Sequence, residues 1–150
     1  MRLRDFLAPS AIDLDLPGTT RDEVFPALVH LLGLDQRSSD TVVRQMIRRE
    51  AQGSTGFGGG IAIPHCRTLA VRRLMVAVGR CREGLGLGAV DGQPVRLFFL
   101  IVAPPLEVSN QYLPVLGRVA QLLHDPATVT SLLTLETPED LLALLDAKGI

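Results

Sequence analysis

At 150 residues the chain is long enough for one compact core and too short for two. Its 47% apolar content belongs to a globular domain rather than a disordered one, and a formal net charge of −1 gives no global attraction to nucleic acid. With no Trp and one Tyr there is no stacking platform for single strands, and Cys66 and Cys81 form no CxxC pair, so they are read as reduced thiols.

The opening, Met1-Arg-Leu-Arg-Asp-Phe, places charges ahead of any apolar run, unlike a signal peptide. The longest unbroken apolar segment, 97–103, is far short of the roughly 20 residues that a bilayer span needs. A cytoplasmic protein with no direct membrane insertion is expected.

A short helical turn is expected over 2–8, ended by Pro9-Ser10. Ile12-Asp-Leu-Asp-Leu16 alternates strictly and predicts a strand with one wet face, stopped by Pro17-Gly18. Thr20 with Glu23 has the spacing of a capping box, opening a helix to about Leu32 that holds Pro26 inside it. A second helix is expected from a cap at Ser38 or Ser39, burying Val42, Val43, Met46 and Ile47 and leaving Arg48 and Arg49 in its last turn. An arginine pair there complements the negative end of the helix dipole.

Residues 61–63 read as a short strand that Pro64 ends, which puts His65 just past it. Residues 74–78 and 95–103 read as two interior strands. The link 83–94 holds four glycines and no helical pattern, so the two strands are expected to be antiparallel neighbours. Ser109 or Asn110 opens a helix to Leu123 whose start Pro114 delays, and Asp125-Pro126 and Thr137-Pro138 open two more. No repeat or interdomain linker interrupts the pattern. The expected fold is α/β, a single domain over 1–150 with a mixed parallel and antiparallel sheet flanked by helices.

The glycines of 53–60 do not form a dinucleotide fingerprint, because a strand and a proline follow them instead of a helix. No Gly-Lys-Ser/Thr triplet is present, so a phosphate loop of that kind is excluded. His30, His65 and His124 are too far apart in sequence to suggest a metal site, and no cofactor is indicated. Cys66 adjoins His65, but adjacency along an extended chain does not bring a thiol to its base. His65 remains. A neutral imidazole is a good nitrogen nucleophile near pH 7, and a glycine-rich approach lets backbone N–H groups reach an anion held beside it. A histidine after a strand can also simply cap or pack.

Taken together, Arg49-Glu50, Ser54-Thr55-Gly56, Gly58, Gly60-Ile-Ala-Ile-Pro-His65, Asp91-Gly92-Gln93-Pro94-Val95 and Leu100-Ile-Val-Ala-Pro104 resemble the enzyme IIA family of the bacterial phosphoenolpyruvate-dependent phosphotransferase system. The branch is the fructose/mannitol and nitrogen-regulatory type. The resemblance implies that His65 accepts a phosphoryl group from the phosphohistidine of the carrier HPr or its nitrogen-branch counterpart. It implies that Arg49 helps to hold that group and that Ser54, Thr55 and Gly56 form the neighbouring loop.

The family's second histidine falls at Tyr112 here, when Leu113 and Leu116 are matched to the family's leucines. A phenol donates a hydrogen bond but does not exchange a proton near pH 7, so a regulatory role gains weight beside transfer to a IIB transport component. The implied protein is a phosphocarrier rather than a stand-alone turnover enzyme, with no fused transporter domain. The alternative is a phosphorylation-independent regulatory module acting on a transporter or kinase.

Overall fold

The computed structural model of the chain describes residues 2–89 and 91–150; Met1, in the charged opening, and Val90, in the 83–94 link, lie outside the described residues. The first turn is present as the 3-10 helix Leu3–Phe6, but Pro9 starts a second 3-10 turn, Pro9–Ala11, instead of closing the first. The alternation of 12–16 is realised as burial more than as pairing. Ile12, Leu14 and Leu16 are buried, yet only Ile12–Asp13 (β1) forms a strand, parallel to Val78 and Gly79. One further bond, from the Leu16 N–H to the Arg80 carbonyl at 2.8 Å, extends it.

Helix α1 runs Arg21–His30 with Pro26 inside it. The Thr20–Glu23 pairing exists, but not as a reciprocal box. Glu23 accepts from the Thr20 hydroxyl at 3.0 Å and from the Thr19 N–H at 3.3 Å, and Thr20 caps no backbone N–H. Helix α2 runs Gln36–Ala51 and starts before the serines expected to cap it. Asp35 is the cap, accepting from the Ser38 N–H at 2.7 Å, because a full negative charge also complements the helix's positive end. Val42 and Met46 form the buried stripe, with Val43 and Ile47 half-buried at its edges.

The glycine-rich stretch folds as a hairpin of Gly56–Gly58 (β2) and Ile61–Ala62 (β3). Gly58, Gly59 and Gly60 have φ of +107°, +66° and +87°, a left-handed run that side chains rarely adopt. Pro64 then breaks the pairing for a moment rather than ending it. His65–Arg67 (β4) resumes in line with β3, so His65 opens a strand where a loop was expected. Met75–Leu85 (β5) is longer than the expected 74–78, running into the link, and it pairs antiparallel with Val95–Ala103 (β6) as expected.

The sheet order is β1-β5-β6-β3-β2, with β3 and β4 both lying parallel to β6. Interior position explains the near-continuous apolar run of β6, whose residues 97–103 are all buried. Each such Leu, Ile or Phe removed from water contributes about 1.5–3 kcal/mol to the core.

Three helices follow: Tyr112–Leu122 (α3), Pro126–Leu133 (α4) and Pro138–Lys148 (α5). Asp125 and Thr137 cap the last two ahead of their prolines, as their sequences specify. Helices α1 and α2 pack on each other and reach β5 and β4, with Phe25 edge-on to Phe98 at 6.3 Å; α3 and α4 pack on β6. The result is the expected mixed sheet flanked by helices.

Candidate functional site

His65 takes its orientation from the backbone just before it. The Pro64 carbonyl accepts the Ile101 N–H at 2.9 Å, which anchors the break in the strand against β6. The His65 Nδ1 lies 2.6 Å from the Ile63 carbonyl oxygen. A carbonyl only accepts, so Nδ1 carries the proton and Nε2 keeps its lone pair. The ring is half-buried, held but not enclosed.

The last turn of α2 shapes the loop tied to the strand that leads into His65. An Arg49 Nη1–H donates to the Gly53 carbonyl at 2.8 Å, leaving the other donors of the guanidinium uncommitted. The neighbouring Glu50 carboxylate accepts from the Thr55 N–H at 3.2 Å and also from the Thr55 hydroxyl. In turn the Thr55 carbonyl accepts the Ile63 N–H at 3.0 Å, so the loop is tied to the strand that delivers His65. Ser54 Oγ accepts the Gly56 N–H at 2.9 Å, and a Cβ at Gly56 would meet that of Ala89 at 2.6 Å, so only glycine fits there. Thr55 is therefore buried and committed to Glu50, whereas Ser54 keeps a hydroxyl proton to donate.

Tyr112 opens α3 with its side chain buried, its ring centre 6.4 Å from that of His65. Arg67 lies over the Tyr112 ring at 4.3 Å and donates to the Pro105 carbonyl at 3.1 Å. Strand alternation puts Arg67 on the same side of β4 as His65. Burial pushes the Tyr112 phenol up to about 12, with Cys66 adding to the rise while Arg67 and Arg49 pull it down. The phenol stays neutral, and both guanidinium groups lie within electrostatic reach of it. Burial likewise pushes the Cys66 thiol up to about 11, so it is no thiolate nucleophile near pH 7.

Arg67, Glu50 and Asp91 have structural parts that the sequence reading did not assign. Arg67 could have been found from its spacing of two from His65 on an extended strand. Asp91 Oδ2 accepts the Gly59 N–H at 2.8 Å and Oδ1 the Gln93 N–H at 3.1 Å, locking the hairpin to the Asp-Gly-Gln-Pro turn. Those bonds hold its carboxyl below the usual aspartate range. His30 and His124 are exposed, His124 lying edge-on to Phe57 at 6.1 Å. Among the described residues no group of His, Cys, Asp and Glu could hold a metal ion, and no helix is long and apolar enough to cross a membrane.

The sequence and the fold have counterparts. The chain is 32% identical to a nitrogen regulatory protein of Pseudomonas aeruginosa over 82% of its own length and 80% of that protein's. It is 30% identical to the fructose-specific EIIABC component of the phosphotransferase system of Bacillus subtilis over 97% of its length, but spans only 23% of that protein. The solved nitrogen regulatory protein IIA-Ntr of Neisseria meningitidis superposes with a TM-score of 0.85 at 32% identity, covering 95% of this chain and 98% of that one. The IIA mannitol protein of Escherichia coli shares the fold at a TM-score of 0.74 and 24% identity, covering 93% and 98%. Residues 5–148 match the family described as "Phosphoenolpyruvate-dependent sugar phosphotransferase system, EIIA 2". The chain therefore belongs to the EIIA 2 family of the phosphoenolpyruvate-dependent sugar phosphotransferase system.

Proposed function

We propose that this chain, as a single EIIA domain over 1–150, is a cytoplasmic phosphocarrier whose acceptor atom is Nε2 of His65. The donor is the phosphohistidine of HPr or of a nitrogen-branch HPr. The Nε2 lone pair forms the new N–P bond in line as the donor's N–P bond breaks, and the donor imidazole leaves with its electron pair. The uncommitted Arg49 donors, Arg67 and the Ser54 hydroxyl stabilise the equatorial oxygens. No metal is needed for a step whose bonds broken and formed are alike; the rate comes from positioning.

The observation that carries this reading is the short contact from His65 Nδ1 to the Ile63 carbonyl, which fixes the tautomer that leaves Nε2 nucleophilic. The test is incubation with phosphoenolpyruvate, enzyme I and the HPr-type carrier. The expected product is one acid-labile phosphoryl group per chain, absent in His65→Ala; no adduct with either branch's carrier would overturn it.

From His65 the group passes to a IIB component or acts as a regulatory signal. A related IIA mannitol protein of Escherichia coli has been solved in complex with phosphorylated IIB, which supports the first route by analogy of fold. The neutral, buried phenol of Tyr112 favours the second, because it cannot relay a proton during onward transfer near pH 7. In that role the added negative charge at the half-buried ring changes which protein docks there.

A further inference from the structure

A cleft of about 920 Å³ opens beside the start of β5, and none of its lining residues belongs to the His65 site. Met75 and Val76, in its wall, pair with Val102 and Ile101 of β6. His65 and Cys66 pair with the same two residues from the other edge of that strand. The cleft is therefore a separate concavity, one strand removed from the acceptor. Its volume falls at the upper end of the roughly 300–1,000 Å³ usual for small-ligand sites.

The wall is apolar. Leu7 after the first 3-10 turn, Leu32 after α1, and Leu74 and Val76 at the start of β5 are all buried, and Phe6 is half-buried beside them.

The charged groups of the lining differ in what they are free to do. Asp5 Oδ2 accepts the Arg2 N–H at 2.8 Å. Glu107 accepts the Ser109 N–H at 2.8 Å and the Gln111 N–H at 2.7 Å. Both carboxylates are thus engaged by backbone in their own turns. Arg4 is drawn to Asp146, with its Nε 3.6 Å from the carboxylate. Arg72 and Arg73 are exposed at the cleft, and among the described residues neither is paired with a carboxylate. Two adjacent guanidinium groups with free forks, set against an apolar wall, complement a molecule with an anionic head and an apolar body.

We propose that this cleft binds a small amphipathic anion, a carboxylate or phosphate monoester carried on a short apolar body. The head lies against Arg72 and Arg73, and the body covers Leu32, Leu74 and Val76. The inference does not depend on His65 accepting a phosphoryl group.

The test is calorimetric titration of the full chain with hexyl phosphate and with hexanoate, which separates the two head groups. Hexanol and inorganic phosphate serve as controls that lack the head or the body. At least one amphiphile is expected to bind saturably, about tenfold or more tighter than either control. R72A/R73A should weaken that binding about tenfold or more and leave thermal unfolding unchanged, since both side chains are exposed. Proton–nitrogen NMR locates the ligand: the amides of 74–76 should shift, together with those of Ser109 and Gln111, which Glu107 holds in the wall.

No saturable binding of either amphiphile up to about 10 mM, a range that still detects millimolar affinity, would overturn the proposal. So would equal binding by R72A/R73A, shifts confined to the surroundings of His65, or inorganic phosphate binding as tightly as hexyl phosphate. Binding to phosphatidylglycerol vesicles without binding of the free amphiphiles would also overturn it, because the arginines would then be reading a membrane surface.

Discussion

The guanidinium of Arg67 lies 4.3 Å from the centre of the Tyr112 ring while one of its N–H groups holds the Pro105 carbonyl at 3.1 Å. A cation is thus parked beside the acceptor by an aromatic platform, on the same strand face as His65. Replacing Arg67 by Ala should cut the limiting rate of phosphoryl uptake on the order of tenfold to a hundredfold. The accompanying loss of stability should be only about 0.5–1 kcal/mol, the range of an exposed cation–π contact. Lys should rescue only part of the rate, since it carries charge without a planar fork. Rapid-quench uptake and thermal unfolding read both quantities.

Tyr112 offers a second pair of variants. Tyr112→Phe keeps the platform under Arg67, so uptake by His65 should change less than about threefold, the smaller end of one contact's contribution. Tyr112→His introduces a group that exchanges protons near neutrality. Onward transfer to a IIB-type domain should then accelerate and acquire a pH dependence between about 6 and 8 that the wild type lacks. Transfer by Tyr112→His no faster than wild type would show that the second histidine is not what limits this chain.

Glu50 is the clasp of the loop beside His65, taking both the N–H and the hydroxyl of Thr55. Glu50→Gln should destabilise the fold by about 1–3 kcal/mol, because Thr55 is buried and the replacement returns fewer acceptor sites. The double variant Glu50→Gln/Thr55→Val should cost less than the sum of the two single changes, as expected for partners in one network. Denaturant titration of the four proteins gives the cycle.

Asp91 makes a prediction that depends on pH. Its ionised carboxylate accepts from Gly59 and Gln93, and its folded pKa lies below the ordinary aspartate value. The contribution is therefore complete above the unfolded pKa and is lost as pH falls through the folded one. Hydrogen exchange at the Gly59 amide should stay protected at neutral pH and lose protection in acid below about pH 4. In Asp91→Ala that amide should be unprotected at every pH. Equal protection in both proteins would remove Asp91 as the hairpin's anchor.

Much of this architecture is legible from local chemistry. The prolines after Asp125 and Thr137, the alternating burial of 12–16 and the buried run of β6 follow from rules that act over a few residues. What misleads is long-range. Pro64 reads as the end of a strand, yet β6 runs on past it and captures His65–Arg67 as a continuation. The extra length of β5 is likewise supplied by its partner, since residues 83–85 read as part of the link until Val95 lies beside Leu85. Asp35 displaces the serines as the α2 cap because an ionised acceptor competes better for the same N–H groups. Within the site, His65 and Arg49 are visible as residue types in a pattern. Arg67 stacked on Tyr112, Glu50 clasping Thr55 and Asp91 fastening Gly59 depend on contacts that no spacing reveals.

The direct measurement is phosphorus–nitrogen correlated NMR on the 15N-histidine-labelled protein after phosphorylation by its HPr-type carrier. The predicted result is a single phosphohistidine, coupled through Nε2 of His65, with Nδ1 retaining its proton and its bond to Ile63. Phosphorus coupled to Nδ1, or borne by any residue other than His65, would contradict it.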